Sequence, residues 1–169
     1  MIRPILRYGD KALHTPAVEV TSFDGSLHAL LNDMIDTMYA APGIGLAATQ
    51  IGVPLRALVV DISAGREAKS LIEVINPVFA SREGMQLEEE GCLSVPGFNA
   101  TVVRPAKAVL TGLDREGNPV SFEATTLLAR AFQHEVDHLD GLVFVDRLRG
   151  IKRDLIVRKI HKMKRAGKW

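Results

Sequence analysis

Leu27, Leu30, Leu31, Met34, Ile35 and Met38 fall at offsets of 0, 3, 4, 7, 8 and 11, which lays six apolar side chains along one face of a helix. Phe23-Asp24-Gly25-Ser26 offers a start signal and Pro42-Gly43 a stop, so the period predicts a helix between them. The run Leu55-Arg56-Ala57-Leu58-Val59-Val60-Asp61 is short, apolar and bounded by turn formers, as are residues 71–79 and 102–113, and all three read as strands. Asp114-Arg115-Glu116-Gly117-Asn118-Pro119 has turn chemistry, so 106–113 and 120–124 are expected to pair as a hairpin. A second helix opens at Thr125 or Thr126, carries Leu127, Leu128, Ala131 and Phe132 into residues 134–139, and stops near Gly141. A third begins near Gly150, with Ile151, Leu155, Ile156, Ile160 and Met163 as its apolar positions. Strands grouped between helices, without strict alternation, argue for an α+β fold. The expected architecture is a mainly antiparallel sheet around the second helix, with an N-terminal helix and a C-terminal helical extension. No repeat, low-complexity tract or long linker interrupts the chain, so residues 1–148 are expected to form the body and 149–169 a basic helical extension of the same domain.

Composition narrows this little. With 169 residues, 47% of them hydrophobic, the chain fills a core without disulfides, which excludes disorder as its main state. No apolar run approaches the roughly 18 residues of a membrane helix, and the first residues lack the apolar block of a secretory signal. The expectation is a soluble, cytoplasmic chain with no membrane partner. The net charge of +1 hides an asymmetry: residues 146–169 hold ten Lys or Arg against Asp146 and Asp154, which is +8, and the other 145 residues hold 11 Lys or Arg against 18 Asp or Glu, which is −7. Such a tail fits an anionic partner; it fits a solvated helix face as well.

The strongest chemical signal is His134-Glu135-Val136-Asp137-His138 inside the second helix. Residues four apart stand one turn above each other, so both imidazoles can close on one cation while Glu135 leans over its open position. The competing reading is an exposed helix face with two incidental histidines. A catalytic site needs a third ligand. After His138 the chain offers only His161, set among lysines, whereas Cys92 lies in the glycine-flanked run Glu90-Gly91-Cys92-Leu93-Ser94. Cys92 has three readings: a thiolate ligand, a small buried hydrophobe, or a nucleophile with His134 as its base. The helical histidine pair, which a cysteine hydrolase does not require, favours ligation. A cysteine with two histidines suits one divalent ion of zinc, nickel, cobalt or iron.

Gly43-Ile44-Gly45-Leu46-Ala47-Ala48-Thr49-Gln50, Glu90-Gly91-Cys92-Leu93-Ser94 and Gln133-His134-Glu135-Val136-Asp137-His138 together resemble the three signature motifs of bacterial-type peptide deformylases, in that family's order and spacing. The resemblance covers nearly the whole chain. It implies removal of the formyl group from the initiator methionine of nascent chains, with Cys92, His134 and His138 as metal ligands and Glu135 as the base. It also implies that the Gln50 amide and the Leu93 backbone N–H stabilise the developing oxyanion. The stretch holding Ile44 and Gly45, together with Gly91, would pair with substrate main chain. Leu127, Arg130 and Ala131 match positions lining the methionine pocket. Arg130 departs from the apolar residue of some members; either its stem packs on the methionine with the guanidinium in water, or it faces solvent. The resemblance further implies ferrous iron in cells, often replaced by zinc or nickel, and docking of the basic helix on the ribosome near the tunnel exit, without sequence-specific nucleic-acid recognition. Two alternatives stand beside it: another His-Glu-x-x-His metallopeptidase, or a noncatalytic module held together by a structural metal.

Overall fold

A computed structural model describes all 169 residues. Helix α1, Gly25–Ala40, starts where the Asp24 carboxylate accepts the backbone N–H groups of Ser26 and Leu27. Its stripe of Leu27, Leu30, Leu31, Met34 and Met38 is buried with Val59 and Ile75 of a sheet. That sheet is fully antiparallel and has five strands in the order β1 (Gly45–Ala47), β2 (Ala57–Val60), β3 (Ile72–Glu83), β6 (Lys107–Leu113) and β7 (Pro119–Thr125). A separate two-stranded ribbon joins β4 (Gln86–Gly91) to β5 (Asn99–Arg104).

The expected hairpin forms as β6 and β7. The expected single strand over 102–113 does not. It divides between β5, which ends at Arg104, and β6, which begins at Lys107 in the other sheet. Pro105 stands at the break, where a fixed φ and a missing N–H prevent the ladder from continuing. The residue pattern does not predict strands β1 and β4: one is three residues in a glycine-rich segment, and the other carries three consecutive glutamates, poor strand formers by composition.

Helix α2, Thr126–Leu139, begins at the expected residue and is buried from Ala129 onward. Phe132, Val136 and Leu139 meet Leu58, Val60, Val74 and Leu110 of the five-stranded sheet. Its polar side chains therefore also lie in the interior, where each requires a partner. Helix α3, Ile151–Arg165, is held by Ile156 and Ile160, buried with Leu13, Val95, Phe144 and Val145. Ile151 and Leu155, expected among its apolar contacts, instead face outward at 75% and 50% exposure. They form a row rotated about 100° from the buried one. Beyond α3 the Trp169 indole N–H donates to the Tyr8 carbonyl at 2.9 Å, with the ring edge-on to Phe98. No helix is long and apolar enough to cross a membrane.

If α3 docks through this row, Ile160→Ala should lower the unfolding free energy of metal-loaded protein by about 2–5 kcal/mol, as buried truncations do. Leu155→Ala should change it by no more than about 0.5 kcal/mol. Equal losses in urea denaturation would refute the assignment of faces.

Candidate metal centre

Helix α2 sets the His134 and His138 rings 4.9 Å apart, one turn above each other. Cys92 arrives from the turn that follows β4, and its Sγ lies 3.2 Å from His138 Nε2. One ligand atom from each of Cys92, His134 and His138 falls within 4.8 Å of the other two. The sulfur also receives the Ser94 N–H at 3.4 Å and faces Gln50 Nε2 at 3.7 Å. Gln50 is only 1% exposed, so it is no surface amide. Its orientation follows from its neighbours: Oε1 accepts the Ala47 N–H at 3.0 Å, which turns Nε2 toward Cys92 and toward Ser94 Oγ at 3.1 Å.

Behind His134 lies a carboxylate that the sequence alone did not single out. Glu90 Oε1 is 2.7 Å from His134 Nδ1, which fixes the ring and leaves Nε2 for a cation. The same carboxylate accepts from Arg104 Nη2 at 2.8 Å and from Arg130 Nη1. Arg104 in turn reaches Asp137 at 2.9 Å, and Arg147 closes on Asp137 at 2.6 Å. Burial would raise the Glu90 carboxyl, but the hydrogen bonds from Arg104 and His134 overcome it and hold the group at about 2.

Both sequence readings misplace the Arg130 guanidinium, although the residue does line the cavity beside this cluster. Its guanidinium is neither in water nor turned to solvent: the side chain is 5% exposed, with Nε on Gln86 Oε1 at 3.0 Å and Nη2 on the Val102 carbonyl at 3.0 Å. A buried carboxylate that also holds Arg104 recruits it. The strand period carried a usable signal, because alternation along β4 puts Glu90 on the face opposite Glu89 and beside α2.

Glu135 lies against β1. A Cβ on Gly45 would come within 3.0 Å of the Glu135 Cδ, so the glycine is what admits the carboxylate. Glu135 Oε1 is buried without a protein partner. Burial pushes its carboxyl up to about 7, against the opposing pull of His134. The two histidines diverge: burial drives His138 toward the neutral form, whereas His134, also buried, is pushed up by Glu135, Cys92 and Glu90. Proton and cation compete there for one nitrogen.

A cavity of about 380 Å³ opens at this cluster. It is lined by Ile44, Gly45, Gly91 and Leu93 together with Gln50, Cys92, His134 and Glu135. Leu127, Arg130 and Ala131 continue the wall along α2. Every site residue expected from the sequence lines it except His138, which is fully buried behind Cys92. One sulfur and two imidazole nitrogens, converging with no fourth Cys or His and with an unpartnered carboxylate oxygen beside them, fit a divalent cation with one open position.

Comparison with known proteins agrees with this geometry. The sequence profile of the family described as Polypeptide deformylase matches residues 2–154. A peptide deformylase from Acidobacterium capsulatum is 48% identical over 169 residues, covering 100% of this chain and 99% of that one. One from Thermodesulfovibrio yellowstonii is 47% identical, covering 94% and 96%. The crystal structure of a peptide deformylase from Legionella pneumophila superposes with a TM-score of 0.92 at 48% identity, covering 99% of this chain and 98% of that one.

Replacing Glu90 with Gln should weaken metal binding by about 10-fold to 100-fold, as the loss of a ligand's carboxylate partner commonly does. Competition against a chromophoric chelator measures this, and unchanged affinity would show that His134 needs no carboxylate behind it.

Proposed function

The chain belongs to the polypeptide deformylase family as an enzyme, and from that premise we propose how its own residues hydrolyse the formyl group from N-terminal formylmethionine of nascent polypeptides. The observation that carries the reading is the buried, unpartnered Glu135 oxygen beside three convergent ligand atoms at a cavity. A divalent cation held by Cys92, His134 and His138 would supply an acidified water and a Lewis acid for the formyl oxygen. Glu135 takes the proton of the attacking water and returns it to the departing amine nitrogen, so the C–N bond breaks to give formate and a free amine. The Gln50 amide, already turned toward Cys92, and the Leu93 N–H donate to the oxygen as it becomes negative.

Substrate orientation follows from two open strand edges. β1 ends one sheet and β4 has only β5 as a neighbour, and both border the cavity. An extended peptide fits between them as an added strand, its main chain along Ile44, Gly45 and Gly91 and its first side chain directed toward Leu127, the Arg130 stem and Ala131. The donor set accepts zinc, nickel, cobalt or ferrous iron, and likeness to the family favours iron in the cell. We place the reaction in the cytoplasm near the ribosomal tunnel exit. Lys152, Arg158, Lys159, Lys162, Lys164 and Arg165 are exposed on α3, a surface suited to ribosomal RNA phosphates through a salt-sensitive, sequence-independent attraction.

Formate release from formyl-Met-Ala-Ser should stop on chelation and return with added cation; full activity after exhaustive chelation would remove the metal-dependent reading. Glu135→Gln should retain its metal while kcat falls about 100-fold to 10,000-fold. A near-parental rate would exclude Glu135 as the base. Reversal of Lys159, Lys162, Lys164 and Arg165 to Glu should abolish cosedimentation with ribosomes at low salt and leave turnover of the short peptide intact. Undiminished cosedimentation would return the tail to a structural role.

A further inference from the structure

Next to the first cavity lies a second, of about 440 Å³, whose open surface is mostly carbon although many of its residues are polar by name. Glu89, Leu127 and Arg130 line both spaces and therefore stand between them. Of the three, Arg130 is the fixed one. All three of its guanidinium nitrogens are engaged, on Glu90, Gln86 and the Val102 carbonyl, whereas Leu127 is 46% exposed and Glu89 is open to solvent.

Arg130 forms part of the wall of the first cavity, and its chemistry makes that wall stiff. A wall of methionine or leucine yields to a larger guest by changing rotamer. Moving Arg130 would instead withdraw a cation from a buried carboxylate and leave three donors unpaired. It would also disturb Glu90, which orients His134, so an oversized guest would loosen the metal ligand it needs.

Building on the deformylase reading above, we propose that Arg130 is the specificity-determining wall of the first-residue pocket. It rejects N-formyl peptides whose first side chain is an unbranched alkyl chain longer than that of methionine. The second cavity is the space such a chain would occupy if the wall were shortened. Glu90 and Gln86 act through Arg130 as its anchors.

The test uses metal-loaded protein and peptides formyl-X-Ala-Ser, with X as methionine, norleucine, 2-aminooctanoate or 2-aminodecanoate. In the parent, norleucine should match methionine, and kcat/KM should fall at least about 10-fold by 2-aminodecanoate, in the range by which pockets discriminate chain length. Arg130→Ala should raise the ratio of long to short substrates about 10-fold or more, chiefly through KM, and Arg130→Lys should keep the parental ratio. Leu127→Ala removes part of the same partition without touching a charge, and it carries the test if Arg130→Ala does not fold. Dissociation constants for the same peptides on Glu135→Gln protein read the wall without turnover. A uniform loss across all four peptides, or a parent that accepts 2-aminodecanoate as readily as methionine, overturns the wall. A parent that releases no formate from formyl-Met-Ala-Ser overturns the deformylase reading instead, and the binding series still reports on Arg130.

Discussion

A carboxylate buried behind His134, one of three side chains that could hold a metal, has to be neutralised from several directions, and Glu90 is the point on which the rest of this structure turns. Arg104, Arg130 and His134 all converge on it. Isolated, such a group would lose several kcal/mol to desolvation and would take up a proton instead. Here two buried carboxylates, Glu90 and Asp137, face two buried guanidinium groups, Arg104 and Arg130, and Arg147 joins Asp137 from the half-exposed edge. Opposite charges are thus paired behind His134, and a cation on its Nε2 would take the place of the proton that Glu135, Cys92 and Glu90 favour there. The imidazole would then serve as a neutral ligand, with its Nδ1–H on Glu90. The β4–β5 ribbon has a clear purpose in these terms, since it delivers Glu90 and Arg104 together against α2.

The same ribbon creates an exposed edge, as does β1. Open edges invite unwanted pairing between chains, and proteins blunt them with short strands and charge. β1 is three residues long, and β4 carries Glu88 and Glu89 exposed beside Glu90. In the binding mode proposed above, a short extended peptide would still find main-chain partners there, while a long flat strand would meet carboxylates and a strand that ends too soon. A peptide groove of the proposed kind and protection against aggregation would then rest on the same residues.

Local signals were the legible ones. The 3.6-residue stripe of α1, the turn between β6 and β7, and the start of α2 at Thr126 each depend on residues within a few positions of one another. The histidine pair was legible for the same reason, and Cys92 and Gln50 became so through their motifs. What supports them was not. Glu90 meets Arg104, Arg130 and His134 across 14, 40 and 44 residues of chain, and in the sequence it stands in a run of three glutamates that looks solvated. Arg130 illustrates the difficulty: its place on α2 was correct, but its direction depends on a carboxylate from another element. The apolar positions of α3 fail similarly, because Ile151 and Leu155 satisfy helical spacing, and only the position of the core shows which row is covered.

The cation site also has to be formed by segments far apart in the chain, since Cys92 and His138 are separated by 46 residues. Much of a metal's binding free energy is spent on folding when its ligands are otherwise disordered. Here the Cys92 turn has anchors of its own: the Ser94 carbonyl accepts the Tyr8 N–H at 2.8 Å, Gln50 holds the Ser94 hydroxyl, and Val95 lies in the core beside Phe144. The Tyr8 carbonyl in turn receives the Trp169 indole, which joins the end of the basic tail to the same turn. His134 is fixed by Glu90, and His138 sits in a fully buried stretch of helix. With these side chains held in this way, a cation bound among them would have little ordering left to drive. The interaction energy would then appear as affinity, and by linkage as added stability of about 4 kcal/mol at a thousandfold excess of free metal over Kd.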